Sequence, residues 1–119
     1  LEFARKAFAG APEGHRIGCV IAMAHIEDWV ESDSKSCLVT PDIQDELLEA
    51  AEHSILHPAY ERRPGWQGDF NIFAMALSLA AERIALPRVF DELDGAYTSW
   101  PWKYMAQPEK MYARARRNA

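Results

Sequence analysis

The chain has 119 residues, of which 49% are hydrophobic and 26% charged, and its formal net charge is −5 at pH 7. This length suffices for one domain with its own core, and the composition is that of a globular protein rather than a disordered one. Ala, Leu, Glu and Arg are plentiful while Val and Thr are scarce, which favours helix over sheet. We therefore predict a single all-α domain spanning residues 1–119.

The start of the chain and its two cysteines are used to predict the cellular compartment of the protein. The sequence begins Leu-Glu-Phe without an initiator Met or a signal-peptide pattern, so we expect a lost native start or vector-derived residues 1–3. Cys19 and Cys37 form no CxxC motif, and we interpret them as idle thiols of a cytoplasmic protein. A single disulfide between them is the alternative.

The first half of the chain contains three helical patterns. One covers residues 2–9 and is broken by Gly10-Ala11-Pro12. A second helix is predicted over Pro12–Ser32, because a proline suits the first helical position and the later residues keep a helical face. Its apolar run at 17–23 would also fit a buried strand. Thr40-Pro41-Asp42 is a clear helix start, and an apolar stripe then predicts a helix over Pro41–His57.

The stretch from Asp69 to Ala85 is predicted to be the central helix. Its large apolar side chains point in almost every direction, and only Asn71, Ser78 and Glu82 form a polar line. A helix that is apolar on nearly all sides is normally buried. Asp69 has the side chain of a good N-cap. The stretch is too short and too polar to span a bilayer.

The last third of the chain contains two shorter helical patterns. Residues 87–95 form a short amphipathic segment closed by glycine, and Pro108 opens a final helix with Met111, Tyr112 and Ala115 inward. Residues 96–107 are irregular and aromatic. The predicted whole is a compact bundle of about five or six helices around the central helix at about 69–85.

Aromatic and arginine side chains concentrate outside the predicted helices. Loops on a rigid scaffold carry many binding residues, and Trp, Tyr and Arg commonly anchor interfaces and line pockets. The alternative is that these aromatic rings have a structural role and pack at the ends of the helical bundle. As binding candidates we take Tyr60, Arg62, Arg63, Trp66, Trp100, Trp102 and Tyr104.

The sequence offers little for catalysis or metal binding. It contains no phosphate-binding loop and no nucleophile elbow, so we predict no catalytic residue, metal or cofactor. Glu49, His53 and His57 share one helical face, but that face is the solvated side of the helix. Asn71 and Glu82 form a possible polar pocket if they face a cavity.

Charge is unevenly distributed along the chain. Nine carboxylates and one basic residue lie between Glu27 and Glu52, whereas five basic residues and one acid lie between Lys103 and Arg117. Such asymmetry orients one chain against another, or draws the basic tail onto the acidic helices of its own chain. Two separately solvated faces are the other interpretation.

Three functional hypotheses follow. The first is a small cytoplasmic binding or regulatory module that self-associates, most simply as a homodimer, and binds a partner or a small anionic or aromatic ligand. The second is an enzyme or ligand-binding protein with a pocket between helices, roofed by Trp66, Trp100 and Trp102. The third is a nucleic-acid-associated regulator that uses Arg114, Arg116 and Arg117, which the net negative charge disfavours.

Overall fold

The computed structural model describes residues 1–119 and contains no strand. Its seven helices are α1 Glu2–Ala9, α2 Gly18–Glu31, α3 Pro41–Glu52, α4 Trp66–Leu79, α5 Ala85–Leu93, α6 Ser99–Trp102 and α7 Pro108–Asn118. The predicted all-α fold is confirmed. The helix number exceeds the prediction because the aromatic segment predicted to be irregular includes the four-residue helix α6.

Helix α4 is the centre of the fold, as predicted. It packs against α2, α3, α5, α6 and α7, and nine of its 14 residues are buried. Phe70, Phe73, Met75 and Leu77 are almost inaccessible to solvent. Since burying one large apolar side chain contributes about 1.5–3 kcal/mol, α4 is a major source of the stability of the domain.

The start of α4 differs from the prediction. The helix begins at Trp66 after Gly65, whose φ of 90° lies in the left-handed region. Asp69 is therefore not the N-cap but a residue of the first turn. Its buried carboxylate accepts hydrogen bonds from Arg16 and Tyr60. Asp69, which the sequence predicts as the N-cap, instead connects the first turn of α4 to Arg16 and Tyr60.

The end of α4 comes earlier than predicted. The backbone N–H of Glu82 donates to the carbonyl of Leu77 at 3.0 Å, and Ala81 adopts a φ of 54°. These two features close the helix before Glu82. As a result Ile84, which we assigned to the buried helix, is 63% exposed.

Helix α2 begins at Gly18 rather than at Pro12, and the strand considered for residues 17–23 is wrong. Residues 13–14 and 16–17 form turns. Gly14 has a φ of 79°, and a Cβ built on it would lie 2.7 Å from the backbone of Ala59 and Tyr60. Only glycine fits such a close approach with this backbone conformation.

Helix α3 has the predicted start, with Thr40 Oγ1 accepting from the N–H of Ile43 at 3.3 Å. It ends at Glu52, five residues before the predicted His57. The Ser54 hydroxyl donates to the carbonyl of Ala50 at 2.6 Å, and a serine that bonds the backbone competes with continued helix. Gly18 packs against Ser54 and allows α2 to approach this point closely.

The short helices at the end of the chain cover one side of α4. The amphipathic segment predicted at 87–95 is confirmed as α5, and the helix predicted from Pro108 is confirmed as α7. Tyr112 and Ala115 are buried as expected. Tyr112 makes edge-to-face contacts with the rings of Phe90, Tyr97 and Trp102. None of the seven helices has the length and apolarity that crossing a membrane requires.

Candidate functional site

A surface cleft lies where the segment before α2 meets the segment before α4. Residues 12–16, 59–61 and 63–66 line it together with Asp69, and its volume is about 610 Å³. Binding pockets for small molecules typically measure about 300–1,000 Å³. We refer to it below as the cleft.

The floor of the cleft is a hydrogen-bonded group of three side chains. The Arg16 guanidinium donates to both Asp69 oxygens, from Nη2 to Oδ1 at 2.6 Å and from Nε to Oδ2 at 3.1 Å. The Tyr60 hydroxyl donates to Oδ2 of the same carboxylate at 2.8 Å. Asp69 is only 4% exposed. A buried carboxylate with three donors is satisfied and rigidly oriented.

The protonation states in this group are fixed by burial and by the shared carboxylate. Burial raises the pKa of Tyr60, and its hydrogen bond to Asp69 raises that pKa further. The Asp69 carboxylate, through its hydrogen bonds, raises the pKa of Arg16. At neutral pH Tyr60 is therefore a neutral donor and Arg16 a cation. Neither is poised to exchange a proton.

One wall of the cleft is the turn containing Pro12 to Arg16. Glu13 accepts a hydrogen bond from His53 Nδ1 at 2.7 Å, and the backbone N–H of Gly14 donates to the carbonyl of the same histidine at 2.9 Å. Arg16 fixes the other end of this turn to Asp69. The wall is therefore attached both to the end of α3 and to the first turn of α4.

The opposite wall carries Trp66 and Arg63. The Trp66 ring packs edge-to-face on Phe70, with 5.2 Å between the centroids, and is half-buried. Arg63 is highly exposed and pairs only with Glu61, at 2.9 Å. Such an exposed ion pair contributes little to stability. Little free energy is therefore lost when the Arg63 guanidinium leaves Glu61 for another anion. The cleft thus combines an aromatic surface with an available cation.

The binding candidates from the sequence occupy three different places. Tyr60, Arg63 and Trp66 line the cleft. Arg62 points away from it, forms an ion pair with Glu92, and lies 4.1 Å above the centroid of the Trp66 ring. The Arg62 guanidinium thus lies on the Trp66 indole, and this cation–π contact helps to fix the position of the ring.

The aromatic residues of the 96–104 segment do not roof the cleft. Trp100 and Tyr104 are exposed and pack on each other, with ring centroids 5.1 Å apart. Trp102 is only 1% exposed and donates to Asn71. The hypothesis of a pocket roofed jointly by Trp66, Trp100 and Trp102 is therefore corrected, because only Trp66 lines the cleft.

Asn71 and Glu82 are buried but do not form a shared polar pocket. Asn71 binds Gln67, Ala96 and Trp102. Glu82 lies beyond α4, and its carboxylate accepts from the backbone N–H groups of Ile84, Ala85 and Leu86. Its charge thus caps the start of α5. Both side chains serve the fold, and neither lines the cleft.

The histidine face of α3 is also differently arranged from the sequence interpretation. His53 and His57 lie beyond the end of α3, and both approach Glu13, at 2.7 Å and 3.6 Å. Glu49 stays on the exposed face of α3. Both histidines therefore contact Glu13 in the wall of the cleft. They do not form a metal-binding group with Glu49.

Sequence reasoning missed His15, Arg16 and the anchoring role of Asp69. The available signal was the sequence Pro-Glu-Gly-His-Arg, which places two basic side chains directly after a proline and a glycine. Proline and glycine so close together favour a turn over a helix. Because a helix was predicted to start at Pro12, this segment was not identified as part of a binding site.

Comparisons with protein-family models, with curated proteins and with solved structures each found no match to this chain.

Proposed function

We propose that this protein is a small binding module whose cleft takes a small organic anion that carries a flat apolar group. The observation that carries the proposal is the composition of the cleft, in which an oriented guanidinium, an exposed guanidinium and an indole face one volume of about 610 Å³. Arginine binds carboxylates and phosphates through its planar set of donors. An indole covers the apolar part of such a ligand.

Arg16 is the pre-oriented half of the proposed anion site. It uses Nε and Nη2 on Asp69, which leaves Nη1 without a protein acceptor. Because Asp69 already holds the group in place, little conformational entropy is lost when a ligand binds. Arg63 supplies the second cation once it releases Glu61, and Trp66 supplies the apolar surface.

A binding role is favoured over catalysis because the ionisable groups of the cleft satisfy one another. The Asp69 carboxylate is occupied by Arg16 and Tyr60, and Glu13 is occupied by His53. The Tyr60 hydroxyl, which donates to the Asp69 carboxylate, has a raised pKa and stays protonated, so it is not an activated nucleophile. A cytoplasmic location is part of the proposal, and it is supported by the free thiols of Cys19 and Cys37.

Isothermal calorimetry and tryptophan fluorescence with phenyl phosphate, benzoate and inorganic phosphate test this proposal. We expect saturable binding of phenyl phosphate that exceeds that of inorganic phosphate. Arg63→Gln should weaken it about tenfold, the loss of one charge-assisted contact. Trp66→Phe should weaken the binding of phenyl phosphate more than the binding of inorganic phosphate.

Matched substitutions outside the cleft provide the controls. Arg88→Gln removes an exposed arginine from α5, and Trp100→Phe changes an exposed indole, and neither residue lines the cleft. Both should bind like the parent protein. Absence of saturable binding, or equal losses in control and cleft variants, would overturn the proposal.

A further inference from the structure

Two exposed helical faces of opposite charge remain unpartnered within the chain. Asp42, Asp45, Glu49 and Glu52 recur every three or four residues along α3, so they form one stripe about 15 Å long. On α7 a stripe of Lys110, Arg114 and Arg117 is about 10 Å long. None of these seven side chains forms an ion pair.

The acidic face gathers like charges near two helix ends. The last turns of α2 and α3 contain no basic residue, although the C-terminal end of a helix favours cations. Lys35, which follows α2, donates from Nζ to the carbonyls of Trp29 and Val30 rather than to a carboxylate. Instead, Asp28 and Glu31 lie in the last turn of α2, and Glu49 and Glu52 lie in that of α3. Positive charge supplied from outside would relieve this arrangement.

The basic tail does not supply that charge within its own chain. Helix α7 packs on α4 and α6, and no ion pair joins it to α2 or α3. Its cationic side chains are exposed. The alternative in which the tail folds onto its own acidic helices is therefore not realised.

Exposed apolar side chains accompany both charged faces. Trp100 and Tyr104, which are 38% and 40% exposed, belong to the segment beside α7. Val30 and Val39, which are 37% and 47% exposed, belong to the acidic segment. A contact between the two segments would therefore bury apolar surface in addition to pairing charges.

We propose that a second copy of this chain docks the basic stripe of its α7 on the acidic face formed by α2 and α3. The two faces differ in position and are complementary in charge, so each copy offers one donor face, the basic stripe, and one acceptor face, the acidic face. Two such contacts related by a two-fold axis close a dimer, and otherwise the contact builds a ring or chain. This inference does not depend on the cleft, which none of the stripe residues lines.

Sedimentation velocity and light scattering across ionic strength test the proposal first. We expect self-association at about 0.02 M salt, with a dissociation constant at least about tenfold weaker at about 0.5 M, because the screening length falls from about 20–30 Å to less than 5 Å. Association that is insensitive to salt would overturn the proposal, as would a monomer at low salt.

Two neutralised variants test the pairing of the faces. Arg114→Gln with Arg117→Gln removes the donor face, and Asp45→Asn with Glu49→Gln removes the acceptor face. Each variant alone should be monomeric, whereas an equal mixture should form a 1:1 complex, since each supplies the face that the other lacks. A mixture that stays monomeric would contradict the proposal.

Further controls separate the proposed contact from general charge effects. Lys6→Gln with Arg88→Gln removes two exposed cations outside α7, and this variant should associate like the parent chain. A single-stranded oligonucleotide is the competing occupant of α7. Salt-sensitive binding of the oligonucleotide by a strictly monomeric parent protein would overturn the proposal in favour of nucleic acid.

Discussion

The indole N–H of Trp102 donates to the side-chain oxygen of Asn71, with 2.9 Å between Nε1 and Oδ1. The amide nitrogen of Asn71 donates in turn to the carbonyls of Gln67, at 2.9 Å, and of Ala96, at 2.8 Å. One buried side chain of α4 therefore positions both the segment after α5 and the one-turn helix α6. The tryptophan that the sequence suggested as a ligand-binding residue is a core residue whose polar group is fully used.

We expect Asn71→Leu to lower the free energy of unfolding by about 2–4 kcal/mol, because it leaves the Trp102 N–H and the Ala96 carbonyl buried without partners. Urea denaturation monitored by circular dichroism measures the change. Asn118→Leu is the matched control at an exposed position and should change stability by less than about 0.5 kcal/mol.

A double-mutant cycle isolates the contact between the two side chains. Trp102→Phe removes the indole N–H, so it should cost less in the Asn71→Leu background than in the parent chain. Additive effects of the two substitutions would show that the hydrogen bond contributes nothing to stability.

Glu82 provides a second test of a buried polar group with a structural role. Glu82→Ala removes the acceptor of three backbone N–H groups at the start of α5, and we expect it to lower the unfolding free energy by about 1–3 kcal/mol. Asp91→Ala removes an exposed carboxylate from the same helix and should have a much smaller effect. Equal losses in the two variants would refute the capping role.

The contrast between two glycines tests the wall of the cleft. Gly14→Ala forces a Cβ to within 2.7 Å of the backbone of Ala59 and Tyr60 at a φ of 79°. We expect a loss of about 1–3 kcal/mol. Gly68→Ala meets open space in the first turn of α4 and should stabilise the protein by about 0.5–1 kcal/mol. Thermal unfolding of both variants measures the difference, and a stabilising Gly14→Ala would contradict the close approach seen here.

Hydrophobic periodicity was sufficient to predict the all-α fold and the central helix. The apolar residues around α4 leave only a narrow polar line, and a buried helix suits such a pattern. Likewise, Thr40 and Pro41 marked the start of α3 correctly, because capping is a local interaction that the sequence records directly.

The errors arose where a tertiary contact outweighed local preference. Asp69 has the side chain of an N-cap, but Arg16, 53 residues away, binds its carboxylate. The helix predicted from Pro12 is displaced by the packing of Gly14 on Ala59. The cleft could not be predicted for the same reason, since its two walls come from segments about 50 residues apart in sequence that no periodicity connects.

The two cysteines should differ strongly in reactivity. Burial raises the pKa of the Cys19 thiol, and a buried neutral thiol reacts slowly. Cys37 is partly exposed. We expect Ellman's reagent to label one thiol rapidly in the folded protein and both after denaturation. Cys37→Ser should abolish the rapid phase and Cys19→Ser should leave it intact. Rapid labelling of two thiols in the folded parent protein would contradict this assignment.

The pair of Glu13 and His53 makes part of the stability depend on pH. The hydrogen bond that His53 donates to Glu13 raises the pKa of His53 above its ordinary value of 6.5. Because the folded-state pKa is the higher one, the contribution of the pair is present below 6.5 and is lost as pH rises through the raised value. Glu13→Gln should therefore destabilise the protein more near pH 6 than near pH 8, by roughly the effect of one exposed ion pair.

Titration of the histidine ring signals by NMR measures this pKa directly. We expect Glu13→Gln to lower the pKa of His53 and to increase amide exchange in residues 13–16, because the wall of the cleft loses one of its attachments. Glu109→Gln removes an exposed carboxylate from α7 and should change neither quantity. If both variants shift the His53 titration equally, the effect comes from net charge and not from the contact with Glu13.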